Sequence, residues 1–437
     1  MLRIFLAITA LCLFLSSCRK YDDVVPSQPA ASEFSSTVAI EWMEQYRQAV
    51  KNEGLNPPRA SRFYAYAGIA LYEAVLPGIP GNRSVEGQVP LLANLPKIAS
   101  FTRLQYNIAL NEAMYRVAKG LLPNASAATK NQLDALYKKY NDQLNTQVHE
   151  TVKNDSREFG YMVAQSVLNR ANKDGMAETT SMVYTVPGRT SNAANWAPTG
   201  AVLNPLEPFW GKVKCFAMLS SSECEEAQAI PFSSTPGSAF YNQAVEVYQV
   251  SQNLTQDQRN IAQWWADGAG TPTPPGHWVG IANQLAKEKN LPLAKTAEMH
   301  LMLGIGLADA FISCWDAKYK YNLLRPQTYI RDYLPGASSW SSFISTPPFP
   351  EYPSGHSVSS GAAAEILTGF FGNISFTDKT NTSMGLPART YNSLRDAANE
   401  AAMSRLYGGI HYREGNENGV KQGKTVGEVV FKNIKLK

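Results

Sequence analysis

Histidine and cysteine are scarce in this sequence, with five of each in 437 residues. No CxxC pair and no Cys/His cluster occurs, which excludes the usual zinc modules. Blocks of like charge and low-complexity tracts are missing, so no segment reads as a polyelectrolyte tail. Charged residues make up 17% of the chain and the formal net charge is +4. That balance is too small for nucleic acid or an acidic membrane surface, although a local positive field could still gather small anions. Few segments alternate with period two, and no internal repeat of fixed period is found. What is present is apolar material, 44% of the residues, enough for one large or two medium domains with a real core.

The N-terminus reads as an export segment. Arg3 supplies a positive start, and Ile4 to Leu15 form an apolar run too short to span a bilayer. The run ends in Leu15-Ser16-Ser17-Cys18, which resembles the bacterial lipobox, where small residues precede a cysteine that is lipidated and becomes the mature N-terminus. The expectation is an exported protein lipidated on Cys18, held to a bacterial membrane by that anchor alone, in the periplasm or on the cell surface. Residues 19–36 have little apolar content and read as a tether, with residues 37–437 forming one helical domain. Outside the cytoplasm a disulfide between Cys215 and Cys224 is compatible with their short separation, whereas Cys314 reads as a buried thiol.

Apolar residues recur at helical spacing over 37–51, 59–75, 100–121, 125–145 and 146–173. Residues 187–214, rich in Pro, Gly and Asn, read as a long surface loop. Helical pattern resumes over 239–252 and 255–267, and a Gly/Thr/Pro loop (268–275) leads to His277-Trp278 and a further helix. Residues 291–321 are apolar nearly all round and predict a central, buried helix. A Pro-rich stretch (326–353) precedes helices over 355–371, 388–406 and 416–433. The expected fold class is all-α, built from helix bundles, with a chemical site at one end of the C-terminal bundle.

Of His149, His277, His300, His356 and His411, the last two lie among other chemically capable residues. Lys318 is followed by Arg325-Pro326, then Pro353-Ser354-Gly355-His356, then Ser404-Arg405 and His411. Ser354-Gly355-His356 sits where a Pro-rich loop enters a helix. Free N–H groups, a glycine and a hydroxyl there suit a tetrahedral oxyanion. Two arginines and a lysine supply planar forks and a point charge for its oxygens. Two histidines offer a ligand or nucleophile and a proton donor or acceptor.

These segments match the signature shared by type 2 phosphatidic acid phosphatases, bacterial class A acid phosphatases and vanadium-dependent haloperoxidases. All ten of its positions are present in order, with spacers of 26 and 47 residues. A further element of the signature, an Asp four residues after the last His, is replaced by Gly415, and Glu414, Asn416 or Glu417 are the expected substitutes for orienting His411. The context resembles the bacterial haloperoxidases most. Trp315 lies three residues before Lys318, and the runs PPFPEYPSGHS (347–357), GGIHYREGNENG (408–419) and WWADGAGTPTPPGHW (264–278) are similar to theirs. No set of transmembrane helices like that of the membrane phosphatases is present.

The resemblance implies vanadate as cofactor. His411 is its expected protein ligand. Lys318, Arg325 and Arg405 neutralise its oxygens, Ser354 and the Gly355 N–H hydrogen-bond to it, and His356 is the acid–base group. It also implies hydrogen peroxide and a halide as substrates, iodide or bromide before chloride, because chloride is hardest to oxidise. A small organic acceptor and a homo-oligomer are compatible with it. Phe349 and Trp315 are halide-site candidates; Phe349 resembles the chloride-oxidising type at that position. In an acid phosphatase the same cradle would bind a phosphoryl group, with His411 as nucleophile and His356 protonating the leaving group. A glycan-binding lipoprotein that stacks sugars on Tyr and Trp is the non-catalytic alternative.

Overall fold

The structure is a computed structural model, and it describes residues 29–97 and 103–437. The export segment, with Cys12 and Cys18, lies outside the described residues. Among those described, the helices in chain order are α1 (Thr37–Asn52), α2 (Pro57–Val75), α3 (Tyr106–Leu121), α4 (Ala127–Leu144), α5 (Glu150–Ala171) and α6 (Met176–Ser181). After a long loop come α7 (Ala239–Gln252), α8 (Gln256–Trp264), α9 (Thr273–Glu288), α10 (Leu293–Tyr321) and α11 (Pro326–Tyr333). The chain closes with α12 (Gly355–Phe371), α13 (Leu394–Tyr407) and α14 (Arg413–Asn433). The all-helical expectation holds apart from a two-stranded antiparallel hairpin, β1 (Phe376–Asp378) and β2 (Arg389–Tyr391), too short to show as alternation.

Helix α10 is the axis of the molecule. It is long and apolar enough to cross a membrane, but its apolar 18-residue stretch is wholly buried in protein, as its all-round apolar pattern predicts. It packs against α2 on one side and α12 on another, and α12 packs in turn on α13 and α14. Two of these crossings depend on glycine. A Cβ on Gly68 of α2 would stand 2.3 Å from the His300 carbonyl of α10, and one on Gly304 would stand 2.7 Å from the Tyr64 carbonyl. Likewise a Cβ on Gly423 of α14 would meet the Val358 carbonyl of α12 at 2.0 Å. The backbones therefore approach more closely than any side chain allows, and this brings the ends of α10, α12 and α14 together.

The long loop is tied to this axis. Asp309 of α10 accepts from the N–H groups of Phe216, Ala217 and Met218 at 2.7–2.9 Å. Burial pushes its carboxyl up to about 6 against those three hydrogen bonds. Leu206 donates to the Pro348 carbonyl and accepts from Trp315 Nε1 at 3.1 Å and the Tyr319 hydroxyl at 2.6 Å.

Several boundaries differ from expectation for local reasons. Pro29 onward is docked, so the tether does not extend to residue 36: Phe34 packs edge-on against Tyr106, and its carbonyl accepts from Leu293 N. Helix α3 starts at Tyr106, where the Gln105 side chain accepts from Ile108 N. Helix α9 starts at Thr273, because Pro274 and Pro275 fit a first turn that needs no donors. The same device starts α11 at Pro326 inside the Pro-rich stretch. Cys215 and Cys224 are free thiols, not a disulfide, and Cys314 is buried.

The Gly68 crossing can be tested by urea unfolding. Gly68→Ala should cost about 1–3 kcal/mol by overpacking, whereas Gly200→Ala, whose Cβ meets nothing within 4 Å, should cost little. Equal losses at both positions would remove the close-approach argument.

Candidate active site

Three helix starts and two helix ends converge on one region. Trp315 and Lys318 lie in the last turns of α10, and Arg405 in the last turn of α13. Arg325 is the N-cap of α11, with the extended backbone that a following proline imposes. Ser354 is the N-cap of α12, and its Oγ accepts from Ser357 N at 3.4 Å. That leaves its hydroxyl hydrogen to donate elsewhere, and the first N–H groups of α12 lack intrahelical acceptors. Gly409, at φ 76°, turns the chain so that His411 faces Arg325 just before α14.

The cations are buried. Arg325 donates through Nε to the Phe349 carbonyl at 2.8 Å, and through Nη1 to the Ile410 carbonyl at 2.9 Å and to His411 Nε2 at 3.0 Å. Arg405 donates through Nη1 to the Trp265 carbonyl. Burial pulls Arg325 down to about 10 and Arg405 to about 9, both still cationic at neutral pH. Lys318 spends all three of its donors on the carbonyls of Pro350, Glu351 and Pro353, at 2.5–3.0 Å. It therefore clamps the loop that carries Ser354, and burial lowers its pKa to about 7. Phe349 lies across both cations, 4.8 Å from the Arg325 guanidinium and 5.1 Å from Lys318 Nζ.

The structure settles how His411 is oriented. Its Nδ1 is 2.7 Å from Glu351 Oε1, which also accepts from Tyr412 N at 3.1 Å. Since Arg325 can only donate, Nε2 must present a lone pair, and the Nδ1 hydrogen points to Glu351. Burial, then Arg325, Lys318 and Arg405, hold the ring well below the ordinary histidine range, so it is neutral. Burial pushes Glu351 up to about 7 while Lys318 and Arg325 pull against it.

None of the expected substitutes for the missing Asp does this work. Glu414 binds the N–H groups of Ala229 and Ile230, Glu417 pairs with Arg413, and Asn416 has no side-chain partner. A Cβ on Gly415 would stand 2.5 Å from Glu351 Oε1. Glycine at 415 thus makes room for a carboxylate delivered from 351. Linear spacing carries no signal of that exchange.

A cleft of about 580 Å³ opens over these residues, and Trp315, Phe349, Gly355, His356, Arg405 and His411 line it. Lys318, Arg325 and Ser354 lie behind that lining. The Trp315 N–H is committed to Leu206, so the indole offers the cleft only carbon; its ring is 5.0 Å from Phe349. His356 Nε2 is 4.0 Å from Asp267 Oδ2, and burial, Arg405 and His277 hold the ring well below the ordinary range. The other histidines are elsewhere: His149 caps α5, His300 is buried in α10, and His277 is buried in α9.

A bacterial vanadium-dependent iodoperoxidase of known crystal structure is 34% identical to this chain, covering 92% of it and 97% of that protein, with a TM-score of 0.85. The chain belongs to the vanadium-dependent haloperoxidases. Residues 298–436 match the profile of the VCPO second helical-bundle domain. The vanadium chloroperoxidase of Curvularia inaequalis is 27% identical over 197 residues, which span 38% of this chain and 32% of that protein. A holo-type bacterial vanadium-dependent chloroperoxidase, 18% identical, shares the fold at a TM-score of 0.69 over 89% of this chain and 95% of that one.

Vanadate, the cofactor of this haloperoxidase family, suits the donor set. Arg325 Nη2, Arg405 Nε and His356 Nε2 are buried without a protein partner. Two cationic donors and the lone pair on neutral His411 Nε2 match an oxyanion with a metal centre, whereas a bare cation would be repelled.

The 351/415 exchange predicts reciprocal rescue. Glu351→Ala should weaken orthovanadate binding by roughly 10- to 100-fold, and Gly415→Asp alone should destabilise the fold. The double variant should recover stability and much of the affinity. Strictly additive losses in calorimetry and thermal melts would show that the two positions do not share one space.

Proposed function

We propose that the protein oxidises iodide, and bromide less readily, with hydrogen peroxide and vanadate. Halide, peroxide and one proton give hypohalous acid and water. The observation that carries this reading is the neutral, carboxylate-oriented His411 beside buried guanidiniums with unused N–H groups. The iodoperoxidase similarity supports iodide. His411 would hold vanadate through Nε2 in place of its contact with Arg325 Nη1, with Arg325, Arg405, the hydroxyl of Ser354 and the Gly355 N–H taking its oxygens. Lys318 supports the cradle by fixing its loop and adding positive charge. When bound, vanadate supplies Lewis-acid activation of peroxide without changing oxidation state. His356, neutral and at the cleft wall, moves a proton at Nε2 between peroxide and departing water. Leu206, Pro347, Pro348 and Phe349 make the cleft walls apolar and limit competing water.

The test is a paired assay on protein lacking residues 1–18. Orthovanadate, peroxide and iodide should give halide oxidation, while a chromogenic phosphate ester without vanadate should give little. Phosphate release inhibited by vanadate, without halide oxidation, would move the protein to the acid phosphatases. His411→Ala should abolish vanadate binding. His356→Ala should keep it and lose roughly 10²–10⁴-fold in turnover.

Export and lipidation of Cys18 complete the proposal, on the Leu15-Ser16-Ser17-Cys18 motif. In detergent phase partition the full chain should enter the detergent phase and Cys18→Ser should stay aqueous. Identical partition of the two would remove the anchor.

A further inference from the structure

Behind the cleft lies a second buried polar cluster that the ten-residue signature does not include. His277, in the second turn of α9, meets a carboxylate at each ring nitrogen. Nδ1 is 3.0 Å from Asp267 Oδ2 and 3.1 Å from Oδ1, and Nε2 is 2.9 Å from Asp378 Oδ2. A neutral imidazole has one N–H and would leave one of these contacts unmade. With a carboxylate acceptor at each end, both nitrogens donate, and the ring is an imidazolium. Burial opposes that charge, but Asp267 and then Asp378 overcome it and raise the pKa to about 10. The ring lies flat on Trp265, with centroids 4.3 Å apart and planes at 18°.

The far end of the cluster is closed. Asp378, on β1, also accepts from Trp264 Nε1 at 3.0 Å, Thr380 N at 2.9 Å and the Thr380 hydroxyl at 2.7 Å. Asn381 donates to the Trp264 carbonyl at 2.7 Å beside it. The near end opens on the cleft. Asp267 lines it from the loop between α8 and α9, at φ 42°, a left-handed conformation that costs energy and has to be held in place. Its Oδ2 is 4.0 Å from His356 Nε2, and the neighbouring Trp265 carbonyl receives the Arg405 guanidinium. The titratable groups facing Asp267 are thus His277, the neutral His356 and Arg405.

We propose that Asp267, His277 and Asp378 form one positioning unit that fixes Arg405 and His356 for binding the oxyanion. His277 is its pivot. Its Nδ1 pairs with the buried Asp267 carboxylate, and its second hydrogen bond passes the restraint to Asp378 on the hairpin, away from the cleft. Asp267 then stands as a fixed carboxylate 4.0 Å from His356 Nε2, and the loop that carries it places the Trp265 carbonyl that receives Arg405. This rests on the vanadate reading of the cradle.

The test combines two measurements on the metal-free protein. In nitrogen-15 NMR of histidine-labelled wild type at about pH 8, where an ordinary histidine is neutral, one imidazolium signal should persist and vanish in His277→Gln. In calorimetric titration with orthovanadate, His277→Gln and Asp378→Asn should each bind about 10- to 100-fold more weakly than wild type. Asp142→Asn, an exposed carboxylate on α4, should bind as wild type does. Cooperatively melting variants with wild-type affinity would overturn the unit and leave the function standing. A fully neutral histidine set at that pH would overturn it even if neither variant folded. A wild type that binds no orthovanadate would instead remove the function, and this unit with it.

Discussion

Arg325 donates to His411 Nε2 over 3.0 Å in a region closed to solvent, and a guanidinium so placed forbids a proton on that nitrogen. The ring is thereby kept as a base and potential ligand. The same contact puts positive charge where water cannot screen it, and Lys318 and Arg405 add to it within the same buried layer. Burying unpaired charge costs several kcal/mol per ion, and Glu351 answers only part of this charge. An oxyanion with several acceptor oxygens removes the remaining imbalance and fills the open N–H positions at once. Affinity for an anion is in this sense a consequence of how the fold buries its cations.

The scaffold makes that burial tolerable by supplying backbone dipoles. Carbonyls of Pro350, Glu351 and Pro353 satisfy Lys318, and those of Phe349, Ile410 and Trp265 satisfy the arginines. Such carbonyls are available because irregular segments run between helix ends at this place, as in the Pro-rich stretch before α12. Helix starts at Ser354 and Tyr412 bring N–H groups to the opposite side. Both sets reach one region only because α2, α10, α12 and α14 pack at glycine contacts.

Much of this was legible in the sequence. Helical spacing located α1, α2, α7, α10 and α12 closely, since each presents an apolar face over many turns. It missed α11 and misplaced the start of α9 because proline was read as a breaker where it serves as a first-turn residue. The hairpin was missed because three residues per strand carry no period. Within the site, Gly355, His356, Arg405 and His411 come together as expected, and Arg325 stands directly behind them. The carboxylates were not legible. Glu351, Asp267 and Asp378 act across sequence separations of 60, 10 and 101 residues from the imidazoles they hold. Their relation to those rings exists only after folding.

Gly415 shows what a motif position means physically. The signature's Asp matters as a carboxylate beside one imidazole nitrogen, and either strand of backbone passing that point can deliver it. Here the Ser354 N–H bonds to the Gly415 carbonyl, so the two segments run in contact. A longer side chain from 351 reaches the space that a short one from 415 would take. Losing the Asp and gaining the Glu are a single event in space. Removing either half alone leaves a clash or an unoriented ring. A gap in a linear motif is therefore weak grounds for judging a site degenerate until the facing segment has been searched for a group of the same charge.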